Sequence, residues 1–95
     1  MKAKLEFQKA LLLLDYGKLD KGREKLECVI AQAESEKDTV TLVKSLVCLG
    51  DLLIEIGAFQ EAAPFLIRAL TYRRDDDVLE YELNRASDLL SSKNN

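Results

Sequence analysis

The sequence contains no histidine and no tryptophan, and only two of its 95 residues are cysteines. Histidine is the commonest general base and metal ligand, so its absence argues against a hydrolytic triad and an imidazole-bound metal. Cys28 and Cys48 are isolated and form no CxxC pair that could begin a zinc site. We therefore expect a protein that is not an enzyme and has no catalytic residue, metal or cofactor. Both cysteines are interpreted as small buried apolar side chains in a reduced protein.

Other features are scarce as well. Four glycines and one proline are too few for the frequent turns of a β-sandwich or barrel. The longest aliphatic run, Leu11 to Leu14, is far shorter than the roughly 20 residues that cross a bilayer. A net charge of −3 disfavours nucleic acid as a partner. We expect a cytoplasmic protein that binds neither a membrane nor nucleic acid.

Apolar residues at spacings of three and four are abundant, and this pattern predicts helices. The predicted helices span residues 2–16, 19–35, 40–56, 59–72 and 77–91. The third helix is apolar almost all round, so we expect neighbouring helices on several of its sides. Together the five segments predict an all-α chain that folds as one domain.

Glycines and acidic residues mark the predicted helix ends. Gly17 and Gly57 are expected to end the first and third helices, because glycine adopts the left-handed conformation of a C-terminal cap without steric cost. Asp38 or Thr39 is expected to cap the third helix. Asp77, with a glutamate three residues later, predicts a capping-box start for the fifth.

Two parts of the chain match each other at an offset of 40 residues, the distance between Gly17 and Gly57. Large residues then align with large ones and small with small. The aligned pairs are Ala10 with Gly50, Leu19 with Phe59, Gly22 with Ala62, Leu26 with Leu66, and Val29 with Ala69. This agreement indicates an internal repeat.

The second copy carries a recognisable pattern. It reads Leu46-x-x-Leu49-Gly50-x-x-Leu53-x-x-x-Gly57-x-Phe59-x-x-Ala62-x-x-x-Leu66-x-x-Ala69. This pattern resembles a tetratricopeptide repeat, and the segment from Glu61 to Leu70 with the following Tyr72-Arg73-Arg74 resembles the longer repeats of the kinesin light chain type. The residues that define the repeat here are Ala10, Gly17, Leu19, Gly22, Gly50, Gly57, Phe59, Ala62, Leu66 and Ala69.

The resemblance implies a right-handed stack of two antiparallel helix pairs and a closing helix. Repeat one would cover about residues 3–36, repeat two about 39–74, and the capping helix about 77–92. A closed bundle, with the first helix packed against the fifth and no groove, is the alternative. The register of the fifth helix is open, because Ala86 or Ser87 can each be aligned with Gly50.

The resemblance also implies a function, since such repeats are protein-binding scaffolds. The concave face would bind a peptide or helix of a partner protein. Carried over by position, this face consists of Lys4, Phe7, Leu11, Leu14, Lys44, Val47, Asp51, Ile54, Glu55 and Leu90. The lysines and asparagines that grip a peptide's terminal carboxylate in related modules are absent from the matching positions.

Two other interpretations of the apolar face remain open. Its residues can be plain core, because a five-helix chain has few other places to bury them. The chain can also be a self-associating module, a homodimer in which another copy buries the apolar face. Two repeats are fewer than the three or so that a stable array usually needs, which favours some additional contact.

Overall fold

The computed structural model describes residues 2–72 and 76–92. Every regular element among them is a helix. The five helices are α1 (Lys2–Asp15), α2 (Leu19–Glu36), α3 (Thr39–Glu55), α4 (Phe59–Leu70) and α5 (Glu80–Ser91). The predicted all-α class and the predicted helices are confirmed, with boundaries that agree within three residues. Arg73 and Arg74, at the end of the predicted second repeat, lie outside the described residues.

Glycine ends α1 and α3 as predicted. Gly17 and Gly57 have φ angles of +77° and +83°, in the left-handed region. The amide after each glycine bonds back to its helix. The N–H of Lys18 donates to the carbonyl of Leu13 at 2.9 Å, and the N–H of Ala58 donates to the carbonyl of Leu53 at 2.8 Å. These bonds satisfy carbonyls that the helix ends would otherwise leave unpaired.

A third left-handed cap lies at Lys37, at the end of α2, where the sequence has no glycine. Lys37 has a φ of +58°, and the following Asp38 N–H donates to the carbonyl of Ala33 at 2.9 Å. The Asp38 carboxylate then accepts a hydrogen bond from Thr41 N–H at 3.1 Å and caps α3. Asp38, one of the two predicted caps, is therefore the residue that caps the start of this helix.

The strained conformation of Lys37 leads to a stability prediction. Left-handed backbone costs a residue with a Cβ about 1–2 kcal/mol, whereas glycine loses about 0.5–1 kcal/mol through the entropy of the unfolded chain. Lys37→Gly is thus expected to raise the free energy of unfolding by about 0.5–1 kcal/mol in urea titrations. Glu27→Gly, at an exposed position within α2, is the control and should lower it by about 1 kcal/mol. A lower free energy of unfolding for Lys37→Gly would contradict a left-handed cap at Lys37.

The predicted start of α5 is wrong. The helix begins at Glu80, and neither Asp77 nor the residue at the cap position, Leu79, supplies a side-chain cap bond. Leu79 is instead fully buried, while Val78 beside it is exposed. Burial of Leu79 determines how the chain enters α5, and this tertiary contact replaces the capping box that the local sequence favoured.

Helices α1 and α2 form one antiparallel pair, and α3 and α4 form another. The backbone N–H of Ala3, at the start of α1, donates to the Glu36 carboxylate at the end of α2 at 3.2 Å. Helix α3 packs against all four other helices. It has the most buried residues of the five, as its nearly continuous apolar sequence predicted.

Glycines allow close packing within each pair. A Cβ on Gly50 would lie 2.5 Å from Leu66 Cδ2 and 2.6 Å from Leu66 Cγ. In the first pair, a Cβ on Gly22 would collide with the side chain of Leu14. Both glycines are therefore needed where one helix approaches its partner, although they lie on opposite members of their pairs.

Helix α5 closes one end of the molecule. It packs against α3 and α4, and a cavity lies between α5 and α1. This arrangement disagrees with the alternative of a closed bundle, in which α1 would pack directly on α5. No helix in the described part of the chain has the length and apolarity needed to cross a bilayer.

Candidate functional site

Helices α1, α3 and α5 border an open groove made of two adjoining cavities. The cavity nearer the start of α1 has a volume of about 470 Å³, and the one nearer α5 about 360 Å³. Phe7, Leu11 and Lys44 line both, so the two cavities are continuous. The groove is lined by Lys4, Phe7, Gln8, Leu11, Asp38, Val40, Thr41, Lys44, Val47, Cys48, Asp51, Tyr81, Glu82 and Arg85. We call it the α1–α3–α5 groove.

The apolar lining of the groove is partly exposed and partly core. Leu11 keeps 38% of its surface exposed, and Phe7 is half-buried against the core. Val47 is only 5% exposed and belongs to the core cluster. An incoming side chain would therefore contact Leu11 and the edge of Phe7, while Val47 forms the floor of the groove.

The charges differ between the two ends of the groove. Lys4 is exposed at the end nearer the start of α1, where the Asp38 carboxylate already caps α3, and Lys44 is exposed where the two cavities meet. At the other end Arg85 Nη2 donates to both oxygens of Asp51, at 3.2 and 3.1 Å. The hydrogen bonds to Asp51 raise the pKa of the Arg85 guanidinium above its ordinary value. Within the described residues, Lys4 and Lys44 form no ion pair, whereas Arg85 is paired with Asp51.

The other predicted concave residues lie beyond this groove. Leu14 and Glu55 line a smaller hollow of about 210 Å³, which shares Cys48 and Asp51 with the α1–α3–α5 groove. Ile54 and Leu90 lie outside all three cavities and pack, half-buried, against the core. Six of the ten predicted residues thus line the groove: Lys4, Phe7, Leu11, Lys44, Val47 and Asp51.

Three groove residues on α5 were not predicted from the sequence. Tyr81, Glu82 and Arg85 face α3 and α1, and the ambiguous register of this helix concealed them. Ala86 is fully buried, as Gly50 is, and Ser87 is exposed. The signal that could have located α5 was the opposite charge of Arg85 and Asp51, which form the ion pair across α3 and α5.

The two cysteines occupy different environments, and the expectation that both are buried is wrong for one of them. Cys28 is exposed, on the outer side of α2, because its position falls outside the buried stripe of that helix. Cys48 is half-buried in the wall of the groove. Burial raises the pKa of the Cys48 thiol to about 11, and the carboxylates of Asp51 and Glu55 add to the effect.

This difference predicts selective alkylation. The thiolate is the nucleophile, and at pH 8 about one Cys48 thiol in a thousand is ionised for a pKa of about 11. We expect iodoacetamide to modify the exposed Cys28 faster than Cys48 at pH 8, with the Cys48 rate rising about tenfold per pH unit up to pH 10. Mass spectrometry of tryptic peptides measures both rates. Equal rates at pH 8 in the folded protein would contradict the buried environment of Cys48.

Within residues 2–72 and 76–92, no group of three or more metal-ligating side chains is close enough to hold an ion. Asp51, which lines the groove, is bonded to Arg85. No protein-family model matches the sequence, and searches of curated proteins and of solved structures found no similar protein.

Proposed function

We propose that the chain is a non-catalytic adaptor of the cytoplasm that binds a segment of another protein in the α1–α3–α5 groove. The observation that carries this proposal is the half-exposed apolar lining, centred on Leu11 and Phe7, beside two exposed lysines. A tetratricopeptide-like stack, with α1–α2 and α3–α4 as its two repeats, forms part of the same proposal.

The charges of the groove determine the chemistry of the bound segment. Lys4 at one end and Lys44 in the middle favour carboxylates, while the far end carries Glu82 and the paired Asp51 and Arg85. A complementary segment has apolar side chains that cover Leu11 and acidic side chains beside the two lysines. We propose a peptide or helix of this composition as the ligand.

Selection from a random peptide display library tests the proposal. The folded chain is immobilised, and enriched peptides are synthesised and titrated by fluorescence anisotropy. We expect the enriched peptides to contain apolar and acidic residues and to bind with micromolar dissociation constants. Their affinity should fall at least tenfold for Leu11→Asp and for Lys44→Glu. Both positions are exposed, so these variants should remain folded.

Ile67→Asp is the matched control. Ile67 is an exposed apolar residue of α4, and it lines neither cavity of the groove. Ile67→Asp should leave the affinity of the selected peptides unchanged within about twofold. Peptides that bind all three variants equally would contradict the proposal. Sedimentation of the chain alone checks the homodimer alternative: a dimer that Leu11→Asp dissociates would replace the adaptor.

A further inference from the structure

Helix α1 has an exposed face outside the α1–α3–α5 groove. Leu5, Leu12 and Tyr16 lie on this face with exposures of 56%, 55% and 77%. Lys2 and Lys9 lie in the same row, since the five residues follow one another at spacings of three and four. We call this row of five residues the edge strip. The α1 residues that line the groove are different ones, namely Lys4, Phe7, Gln8 and Leu11.

The edge strip keeps a positive charge although Lys9 has an acidic neighbour. Glu6 Oε2 lies 3.4 Å from Lys9 Nζ and 3.4 Å from Lys25 Nζ. One carboxylate therefore serves two ammonium groups, and the three side chains together retain one positive charge. Lys2 is exposed and forms no ion pair within the described residues. The strip is thus an apolar row with basic residues interspersed.

Helix α5 exposes a row of opposite charge. Asp77, Tyr81, Asn84 and Asp88 follow one another at spacings of four, three and four, and all four are exposed, Tyr81 to 73%. The N–H of Glu80 donates to the carbonyl of Asp77 at 3.2 Å, so Asp77 lies one turn before Tyr81. Neither Asp77 nor Asp88 forms an ion pair within residues 2–72 and 76–92. We call these four residues the α5 row.

The two rows point in opposite directions. At the offset of the internal repeat, the row on α3 that corresponds to the edge strip contains Leu42 and Leu52. This α3 row faces the preceding helix α2, because Leu42 shares a cavity with Ala33 and Leu52 shares another with Leu19. The edge strip therefore faces away from the second helix pair, whereas the α5 row faces away from α3 and α4, on which α5 packs. One chain cannot bring its own two rows together, so a contact between them joins two chains.

The differences between the strip and the α3 row indicate what the strip contacts. Lys2 and Lys9 occupy the positions of the buried Leu42 and Leu49. A lysine pressed against an apolar helix would lose its hydration without gaining an opposite charge. The strip is therefore suited to a surface that offers carboxylates beside an apolar ring, as the α5 row does.

The spacing of the charges favours one orientation of the two rows. When Leu5 lies against Tyr81 and the helices run antiparallel, Lys9 lies opposite Asp77. When the helices run parallel with the same contact, Lys9 lies opposite Arg85 instead. Like charges then meet, so the antiparallel orientation is the favourable one.

Charge also separates a second copy from a different protein. Residues 1–25 contain seven Lys or Arg and four Asp or Glu, whereas residues 26–95 contain seven and thirteen. The basic part of one copy and the acidic part of another therefore attract each other, whereas two edge strips facing each other would bring their lysines together. Since the α5 row supplies the carboxylates and the aromatic ring that suit the strip, a second copy in head-to-tail orientation fits it without any further protein.

We propose that the edge strip of one copy binds the α5 row of a second copy, with the two helices antiparallel. The contact is heterologous, because different surfaces of the two copies meet. Since the two rows point in opposite directions, each added copy leaves one strip and one α5 row free, and the copies assemble into an open stack. This assembly does not depend on the function proposed for the groove.

Two charge-reversed variants test the proposal in sedimentation velocity. At low salt we expect the weight-average mass of the wild-type chain to rise above 10.7 kDa with increasing concentration. Lys9→Glu and Asp77→Lys should each weaken this association at least tenfold, because like charges then meet in every contact. An equimolar mixture of the two variants should recover it, since the reversed strip of one matches the reversed row of the other and their unchanged surfaces also match.

Matched substitutions elsewhere serve as controls. Lys21→Glu and Glu27→Lys make the same charge changes at exposed positions of α2 and should leave the association unchanged within about twofold. Leu5→Asp should weaken the association at least tenfold, whereas Ile67→Asp, at a nearly equal exposure of 55%, should not. Leu11→Asp should also leave the association unchanged, which distinguishes this contact from a dimer formed through the groove.

Three results would overturn the proposal. One is a wild-type chain that stays monomeric at about 500 µM in low salt, which would leave the strip to a different protein. Another is a mixture of the two charge-reversed variants that associates no more than either variant alone. The third is an association that Leu5→Asp abolishes but Asp77→Lys leaves unchanged, which would assign the strip to a symmetric dimer. Near-identical circular dichroism of the variants confirms that each result concerns association.

Discussion

Gly50→Val is expected to lower the free energy of unfolding by about 3 kcal/mol, because a Cβ and its two methyl groups would enter the space filled by Leu66. Leu66 is fully buried and cannot swing into solvent. Urea denaturation followed by circular dichroism measures the change. Lys44→Val, at an exposed position of the same helix, is the control and should cost less than about 1 kcal/mol.

A second substitution isolates the contact between α3 and α4. Leu66→Ala alone should cost about 2–5 kcal/mol, since it leaves a cavity. In the double variant the valine at position 50 fills part of that cavity, so the combined cost should be at least about 1 kcal/mol smaller than the two single costs added. Additivity within about 0.5 kcal/mol would show that Gly50 and Leu66 are not in contact.

Leu79→Ala is expected to lower the free energy of unfolding by about 3 kcal/mol, whereas Val78→Ala next to it should change it by less than about 0.5 kcal/mol. Leu79 is fully buried and Val78 is 53% exposed. Because Leu79 holds the start of α5, amide hydrogen exchange should also accelerate most within α5. Mass spectrometry of exchanged peptides resolves this helix from the others.

A larger loss of stability for Val78→Ala than for Leu79→Ala would contradict the burial of Leu79 at the start of α5. In that case Val78 and not Leu79 would be the buried residue at the start of α5. Uniform acceleration of exchange in all five helices after Leu79→Ala would show that α5 does not separate from the rest of the fold.

Local patterns were sufficient for most of the fold. Helix positions follow from apolar periodicity, and Gly17, Gly57 and Asp38 cap the helices as expected. These features depend on residues close in sequence, which a single chain displays directly. The start of α5 escaped prediction because tertiary packing, here the burial of Leu79, overrides local preference. The cap at Lys37 escaped prediction because no glycine marks this position.

The groove was predicted less completely than the helices. Lys4, Leu11 and Lys44, which the resemblance implied for the concave face, line the groove. Ile54 and Leu90 pack against the core, and Tyr81 and Arg85 line the groove in their place. Position in the sequence does not define the angle at which α5 crosses α3, and that angle determines which α5 residues reach the opening.

An NMR titration of the ¹⁵N-labelled chain with a selected peptide tests most directly whether a partner segment binds in the α1–α3–α5 groove. We expect the largest amide shift changes at Leu11, Lys44 and Arg85, with small changes at Ile67 on α4 and Cys28 on α2. Saturation should occur with one peptide per chain. Shift changes concentrated on α2 and α4, with the groove residues unaffected, would contradict the proposed function.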